Sequence, residues 1–370
     1  MNQSDRNISI DVLRGLTIAL MIVVNSPGNY DTTYAPLLHA DWHGFTPTDW
    51  VFPTFLFVMG NSMAFSFSKN QWVQDRPFLK KIFLRALLIF LIGYILFWFP
   101  FVKYNAEGLL VFKPMASTRI FGVLQRIALT YLCASLIIHY FSPKGVLLFS
   151  AAALIGYRLI LGMFGDLTLE GNAALKLDLW ILGDRHMYHG EGIAFDPEGI
   201  LSTLPAIVNV IAGYWAGLLV LRRGPSYETI AHLMVGGVIL VFAALWWDLF
   251  FPINKKLWTS SYVLYTVGLD MLVLSVLIYI VDLHKIKNWI YFFEVLGRNP
   301  LFIYVLSEVL VILWFFFRVG DQSLYTWIFQ HLYQPWAGDY LGSFLFALSV
   351  LAICWSIGWI LDKKKIYIKL

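Results

Sequence analysis

Apolar stretches of about 20 residues recur along this chain from one end to the other, separated by polar connections. At 1.5 Å per residue, about 20 helical residues cross ~30 Å of hydrocarbon. Ten such runs are readable, at residues 9–26, 50–68, 82–100, 119–141, 144–163, 204–221, 229–251, 260–282, 289–317 and 340–362. Strands of a membrane barrel would alternate apolar and polar positions. These runs do not alternate, so they predict helices. The expected fold class is an all-α integral membrane protein of about ten transmembrane helices. With no sequence repeat and no low-complexity segment, residues 1–370 read as a single transmembrane domain.

Composition agrees. The chain is 59% hydrophobic and 14% charged, with a mean hydropathy of +0.69. Soluble domains run at about 45–50% apolar and about 25% charged, and a water-soluble fold could not cover this much apolar surface. Many of the 15 Trp, 19 Tyr and 30 Phe residues stand at the ends of runs, as in Phe97-Trp98-Phe99-Pro100 and Trp246-Trp247. Aromatic rings favour the headgroup layer there. The net charge of +4 is read as topology, and no nucleic-acid partner is inferred from it. With the N-terminus placed in the cytoplasm, the inner segments hold 15 Lys and Arg residues and the outer segments 8. The positive-inside bias then predicts both termini inside, which requires an even number of spans. Cys133 and Cys354 lie within apolar runs and read as small buried hydrophobes. The first run is interrupted by Asp11 and Arg14 and ends in Asn25-Ser-Pro-Gly-Asn29 without a small-x-small pattern, so it is not read as a signal peptide.

Two outer loops carry most of the chemistry. Loop 27–49 has no Lys or Arg and contains His39-Ala-Asp41-Trp42-His43-Gly44, followed by Asp49. A histidine beside a carboxylate can have its tautomer fixed and its basicity raised, as a general base requires. A solvated, idle loop histidine and a metal ligand are the competing readings. Loop 164–203 is longer than most connections; its Trp, Leu and Ile content predicts an ordered cap, and it includes Asp196-Pro-Glu198-Gly199. Asp11 and Arg14, at i and i+3, form either a tie to a neighbouring helix or a ligand contact. Arg126, Arg158 and Arg298 fall within spans, where a charge faces a cavity or a partner. Each is either paired structurally, for example with Asp270, Glu294 or Glu308, or part of a positive tunnel for an anionic cofactor. Gly297-Arg298-Asn-Pro300 places backbone breakers beside such a charge, as cavity-lining broken helices do. Lys255 and Lys256 sit in a short outer turn. Walker, GxSxG, HExxH and Rossmann signatures are absent.

Taken in order, Asp11-Val-Leu-Arg14-Gly15, Asn25, His39-Ala-Asp-Trp-His-Gly44, Asp49-Trp-Val-Phe-Pro-Thr-Phe55, Gly122-Val-Leu-Gln-Arg126, Asp196-Pro-Glu198-Gly199 and Phe251-Pro-Ile-Asn-Lys255 resemble the heparan-α-glucosaminide N-acetyltransferase family over nearly the whole chain. The resemblance implies a multi-pass acetyltransferase of a bacterial inner membrane. Acetyl-CoA would come from the cytosol and an amino-sugar acceptor from the far side. The family's catalytic histidine maps to His39 and the asparagine ending the preceding span to Asn25. His43 stands where the family pattern has asparagine, and the stretch from Asn25 to His39 is longer than in the lysosomal enzyme. The large lumenal domain of that enzyme is expected to have no counterpart.

On this reading His39 deprotonates the acceptor amine as it attacks the thioester, and Asp49 orients His39. The Asn25 amide donates to the developing oxyanion, a role worth roughly 3–4 kcal/mol at other acyl-transfer sites. An acetyl-histidine intermediate is the variant. Arg14, Arg126, Lys255 and Arg298 are the candidate contacts to acetyl-CoA, and Trp42, His43, Asp196 and Glu198 those to the acceptor. No metal is expected, and a homodimer is one assembly to test. The rival functions are an amino-sugar or oligosaccharide transporter and a non-catalytic membrane scaffold.

Overall fold

The computed structural model describes residues 7–69 and 75–368. In chain order its helices are α1 (Ile8–Asn25), α2 (Pro47–Lys69), α3 (Asp75–Trp98), α4 (Val123–Tyr140), α5 (Pro143–Phe164), α6 (Ala173–Leu182), α7 (Thr203–Arg223), α8 (Tyr227–Asp248), α9 (Ser260–Leu277), α10 (Ile290–Arg298), α11 (Pro300–Phe316), α12 (Leu324–Ile328), α13 (Gln334–Ala337) and α14 (Asp339–Lys363). Among the described residues nine helices are long and apolar enough to cross a membrane, and ten if the bent pair α10–α11 counts as one span. The chain is therefore an all-α, multi-pass membrane protein. Two small antiparallel hairpins are the only named strands among the described residues: Val102–Tyr104 with Leu110–Phe112, and Arg318–Val319 with Gln322–Ser323.

The ends of the apolar runs and the ends of the helices differ for physical reasons. Helix α3 starts at Asp75 rather than 82, because a charged turn through Lys80 and Lys81 continues the backbone ladder beyond the apolar stretch. Helix α4 starts at Val123 rather than 119. The extended backbone of Gly122 precedes it and leaves Arg119 outside the helix. The run at 289–317 is two helices meeting at 84°. Pro300 has no N–H to continue the ladder of α10 and instead opens α11. Arg6 and Lys369, used in the charge count, lie outside the described residues.

Helices α1, α2 and α7 form the centre. Buried positions make up 72% of the apolar window in α1 and 61% in α2 and α7, against 28% in α3, α5 and α8. The peripheral helices turn large apolar side chains outward, as α3 does with Phe83, Leu87, Leu91 and Ile95. Glycine makes the central contacts close. A Cβ on Gly213 of α7 would stand 1.9 Å from the Phe57 carbonyl oxygen of α2, and one on Gly15 of α1 would stand 1.9 Å from that of Phe293 in α10. Such small-residue seams let helix backbones approach within a membrane, where water supplies no drive for association.

Helices α1 and α14 run antiparallel. The Gly28 N–H donates to the Ser343 carbonyl (3.1 Å) at one end, and Arg298, beside the start of α1, pairs with Asp362 at the other. Both ends of the described chain therefore lie at one face. The His39 loop and the 164–203 connection lie at the opposite face. The latter is ordered around α6, and its Leu175, Met187 and Phe195 form a buried cluster with Leu257 onto which Trp42 packs.

Candidate functional site

Helix α2 begins at Pro47, whose missing N–H costs nothing at the first helical position. Two residues on, Asp49 folds its carboxylate back over the helix start. Its Oδ2 accepts from the backbone N–H groups of Ala40 (3.1 Å) and Thr46 (3.0 Å) and from the Thr46 hydroxyl (3.1 Å). This reach from the third helical residue to the residue before the helix is half of a capping box. The other oxygen, Oδ1, lies 2.7 Å from His39 Nδ1. The Tyr262 hydroxyl of α9 donates to the Asp49 carbonyl at 2.6 Å, fixing the backbone beneath the pair. Asp49 is 1% exposed, whereas the His39 side chain is 43% exposed. With Asp49 ionised, Nδ1 carries the proton and the Nε2 lone pair is the basic one.

Lys255 Nζ lies 3.0 Å from Nε2 and 3.1 Å from Nδ1 of the same ring. Desolvation and this ammonium lower the His39 pKa below the ordinary imidazole value, against the Asp49 carboxylate, which raises it. Burial likewise lowers Lys255, with Asp49 and Glu198 opposing. The result is an imidazole held neutral.

His39 and Lys255 line a cavity of about 360 Å³ together with Asn25, Glu198 and Glu308. Met21 and Val24 of α1, Val51 and Phe52 of α2 and Val123 of α4 form its apolar side. Arg119, also in the lining, holds the loop that contributes Glu198. Its Nη2 lies 2.6 Å from Asp196 and 2.7 Å from Glu198. Its guanidinium stacks over Tyr188 (4.7 Å) and Phe97 (5.1 Å). Burial pushes the Glu198 carboxyl up, and Arg119, Arg126 and Lys255 more than offset this, holding its pKa below the ordinary value. Lys256 ties Glu191 at 2.5 Å and also donates to the Asp41 carbonyl at 2.8 Å. Deeper in the same connection, burial raises the Asp178 carboxyl to about 7; its Oδ1 accepts from the Ile200 N–H at 2.9 Å.

Of the residues singled out from the sequence, His39, Asn25, Lys255 and Glu198 line the cavity, and Asp49 and Asp196 hold lining residues in place. Trp42 and His43 point elsewhere. Trp42 donates to the Leu167 carbonyl (2.7 Å) and packs on Phe195, while His43 meets Asn254 at 3.3 Å. Arg14, Arg126 and Arg298 do not line it either. Arg14 joins Asp11 (2.8 Å), Ser62 (2.6 Å) and the Gly297 carbonyl (3.3 Å), knitting α1, α2 and α10 together at the far face. Arg298 pairs with Asp362 and with Glu294 (3.3 Å). Arg126 is fully buried over the Trp258 ring (4.7 Å) and donates to Ser202 and the Gly199 carbonyl. Arg158 lies over the Phe251 ring at 5.1 Å. Asp270 accepts from Trp50 (2.8 Å) and Thr54 (2.7 Å) rather than from an arginine, because it lies on the seam between α9 and α2. Among the described residues no three His, Cys, Asp or Glu side chains converge as a metal site.

Glu191 and Tyr304 of the lining escaped the sequence reading altogether, and Arg119 and Glu308 were met there in other roles. Arg119 entered only as an outer-segment charge, because its partners lie 77 and 79 residues away. Glu308 entered only as a partner for an arginine; its glutamate within an apolar run was the available signal.

A family model described as heparan-alpha-glucosaminide N-acetyltransferase, catalytic, matches residues 6–234. The mouse (Mus musculus) heparan-alpha-glucosaminide N-acetyltransferase is 28% identical over 428 aligned residues, covering 100% of this chain and 61% of its own. The human (Homo sapiens) protein of the same name is 29% identical over 359 residues, covering 81% of this chain and 52% of its own. The chain thus spans between about half and three fifths of the length of these relatives.

Proposed function

The chain belongs to the heparan-alpha-glucosaminide N-acetyltransferase family, and from that premise we propose that it is a transmembrane acetyltransferase, moving the acetyl group of cytosolic acetyl-CoA to the amine of a glucosamine-type sugar on the periplasmic side of a bacterial inner membrane. The observation that carries this reading is the His39–Asp49 pair at the edge of the cavity. An imidazole with its Nδ1 proton committed to a buried carboxylate is a neutral base whose lone pair is on Nε2.

In the reaction the acceptor amine displaces Lys255 from Nε2 and attacks the thioester carbonyl. His39 takes the amine proton and returns it to the departing thiolate, while Asp49 stabilises the transient imidazolium. The Asn25 amide or the displaced Lys255 ammonium meets the developing oxyanion. Met21, Val24, Val51, Phe52 and Val123 give the acetyl group and its thioester an apolar seat, and holding both reactants in one cavity supplies proximity. Arg119, Asp196 and Glu198 shape the acceptor side. The satisfied charges of Arg14 and Arg298 favour their scaffolding role over a contact to the donor's phosphates. Neither relative is named as a transporter.

Labelled acetyl-CoA and glucosamine given to the purified protein test the reading. Wild type should yield N-acetylglucosamine, and His39→Ala should lose about 10²–10⁴-fold in rate with an unchanged elution profile. Turnover by His39→Ala near the wild-type rate would sink the assignment.

A further inference from the structure

We propose that Glu308 is the residue that selects an amine: its carboxylate binds the acceptor as an ammonium ion and takes its first proton. This rests on the acetyltransferase reading above. The cavity has three glutamates in its lining, and two already have cations. Glu191 is matched by Lys256 at 2.5 Å and Glu198 by Arg119 at 2.7 Å. Glu308 has none among the described residues. The polar groups beside its carboxyl are the Asn25 amide and the Tyr304 and Tyr30 hydroxyls, all neutral. It stands on α11, one turn beyond Tyr304, and both line the cavity. A carboxylate placed within a membrane span is costly unless it faces a cavity or a partner. Here it faces the cavity, and its missing partner is a small cation. Lys255, at the His39 edge, gives the same cavity a positive end. An acceptor entering as an ammonium is therefore drawn to Glu308 and Asn25, and the carbonyl oxygen of the donor toward Lys255.

The step balances. The bound ammonium gives one proton to Glu308 and becomes a free amine. Its nitrogen forms a bond to the thioester carbon, the C–S bond breaks, and the second proton passes through His39 to the thiolate. The products are the amide, the thiol and a protonated Glu308, which returns its proton to solvent.

Calorimetry and turnover of the purified full-length protein at pH 7 test this with two acceptors. One is glucosamine, a cation; the other is an O-alkyl hydroxylamine, neutral at that pH. Glu308→Gln should weaken glucosamine binding, measured without acetyl-CoA, at least about ten-fold by removing an ion pair. It should raise KM for glucosamine by a similar factor, and at least about three-fold more than KM for the hydroxylamine. Glu308→Asp, which keeps the charge, should retain measurable glucosamine binding and decides the matter should the glutamine variant fail to fold. Wild-type affinity in Glu308→Gln, equal losses for the two acceptors, or no glucosamine binding by wild type would each overturn the assignment. Glucosamine binding that depends on Glu308 without acetyl transfer by wild type would sink the acetyltransferase reading and leave the ammonium site standing.

Discussion

His39 is the residue whose surroundings make the sharpest prediction. Its pKa lies below the ordinary value near 6.5, and the proposed base role needs the neutral ring. Hence, on the proposed mechanism, kcat/KM should show an acidic limb as pH drops through that lowered pKa. Lys255→Met removes a neighbouring positive charge and should move the limb to higher pH. Asp49→Asn removes the stabilising carboxylate and should move it lower, while also reducing kcat, because the ring is no longer held in one tautomer. A pH profile of the three proteins checks both directions, and limbs that coincide would detach His39 from these neighbours. The pair was legible in the sequence because only ten residues separate its members and a helix start brings them together. Arg119 with Asp196 and Glu198, and Asn25 with Glu308, were not legible as pairs, since no local periodicity joins residues that far apart. The roles of Trp42 and His43 were equally hidden: each side chain turns to a partner contributed by a distant loop.

At the scale of elements, helix existence followed from apolar length, because lipid leaves backbone groups no other partner. Helix ends did not, because the hydrogen-bond ladder runs past the apolar stretch at Asp75 and stops short of the polar boundary at Gly122. Close seams between helices were silent too, since a glycine in an apolar run does not announce what it touches. Gly213→Ala places a methyl group on the Phe57 carbonyl and must push α7 from α2, whereas a Cβ on Gly156 of α5 meets nothing within 4 Å. In detergent, Gly213→Ala should lower the melting temperature, and Gly156→Ala should leave it unchanged or slightly raised, in line with the roughly 1 kcal/mol helix preference of alanine. The cap makes a second test. Arg119→Ala strands Asp196 and Glu198 without their cation, a loss of about 3–5 kcal/mol for a buried pair. Hydrogen exchange should then quicken through residues 184–200 more than in α1 or α7.

For the molecule as a whole, the antiparallel course of α1 and α14 places both described chain ends at one face and the His39 loop at the other. Together with the Lys and Arg bias, this predicts that an impermeant thiol reagent labels Asp41→Cys from outside intact cells and Ile366→Cys only after lysis. Labelling of Ile366→Cys from outside would invert the orientation. The native Cys133 and Cys354 leave a low background, being partly and fully buried. Four connections contribute to the cavity, at 26–46, 99–122, 165–202 and 249–259, and all leave the bundle on the His39 face. On the proposed mechanism, the 99–122 and 165–202 connections, tied to each other through Arg119, Asp196 and Glu198, could be exchanged together as a cassette to alter acceptor choice, while His39 and Lys255 on the other two connections and the helical chassis stay in place.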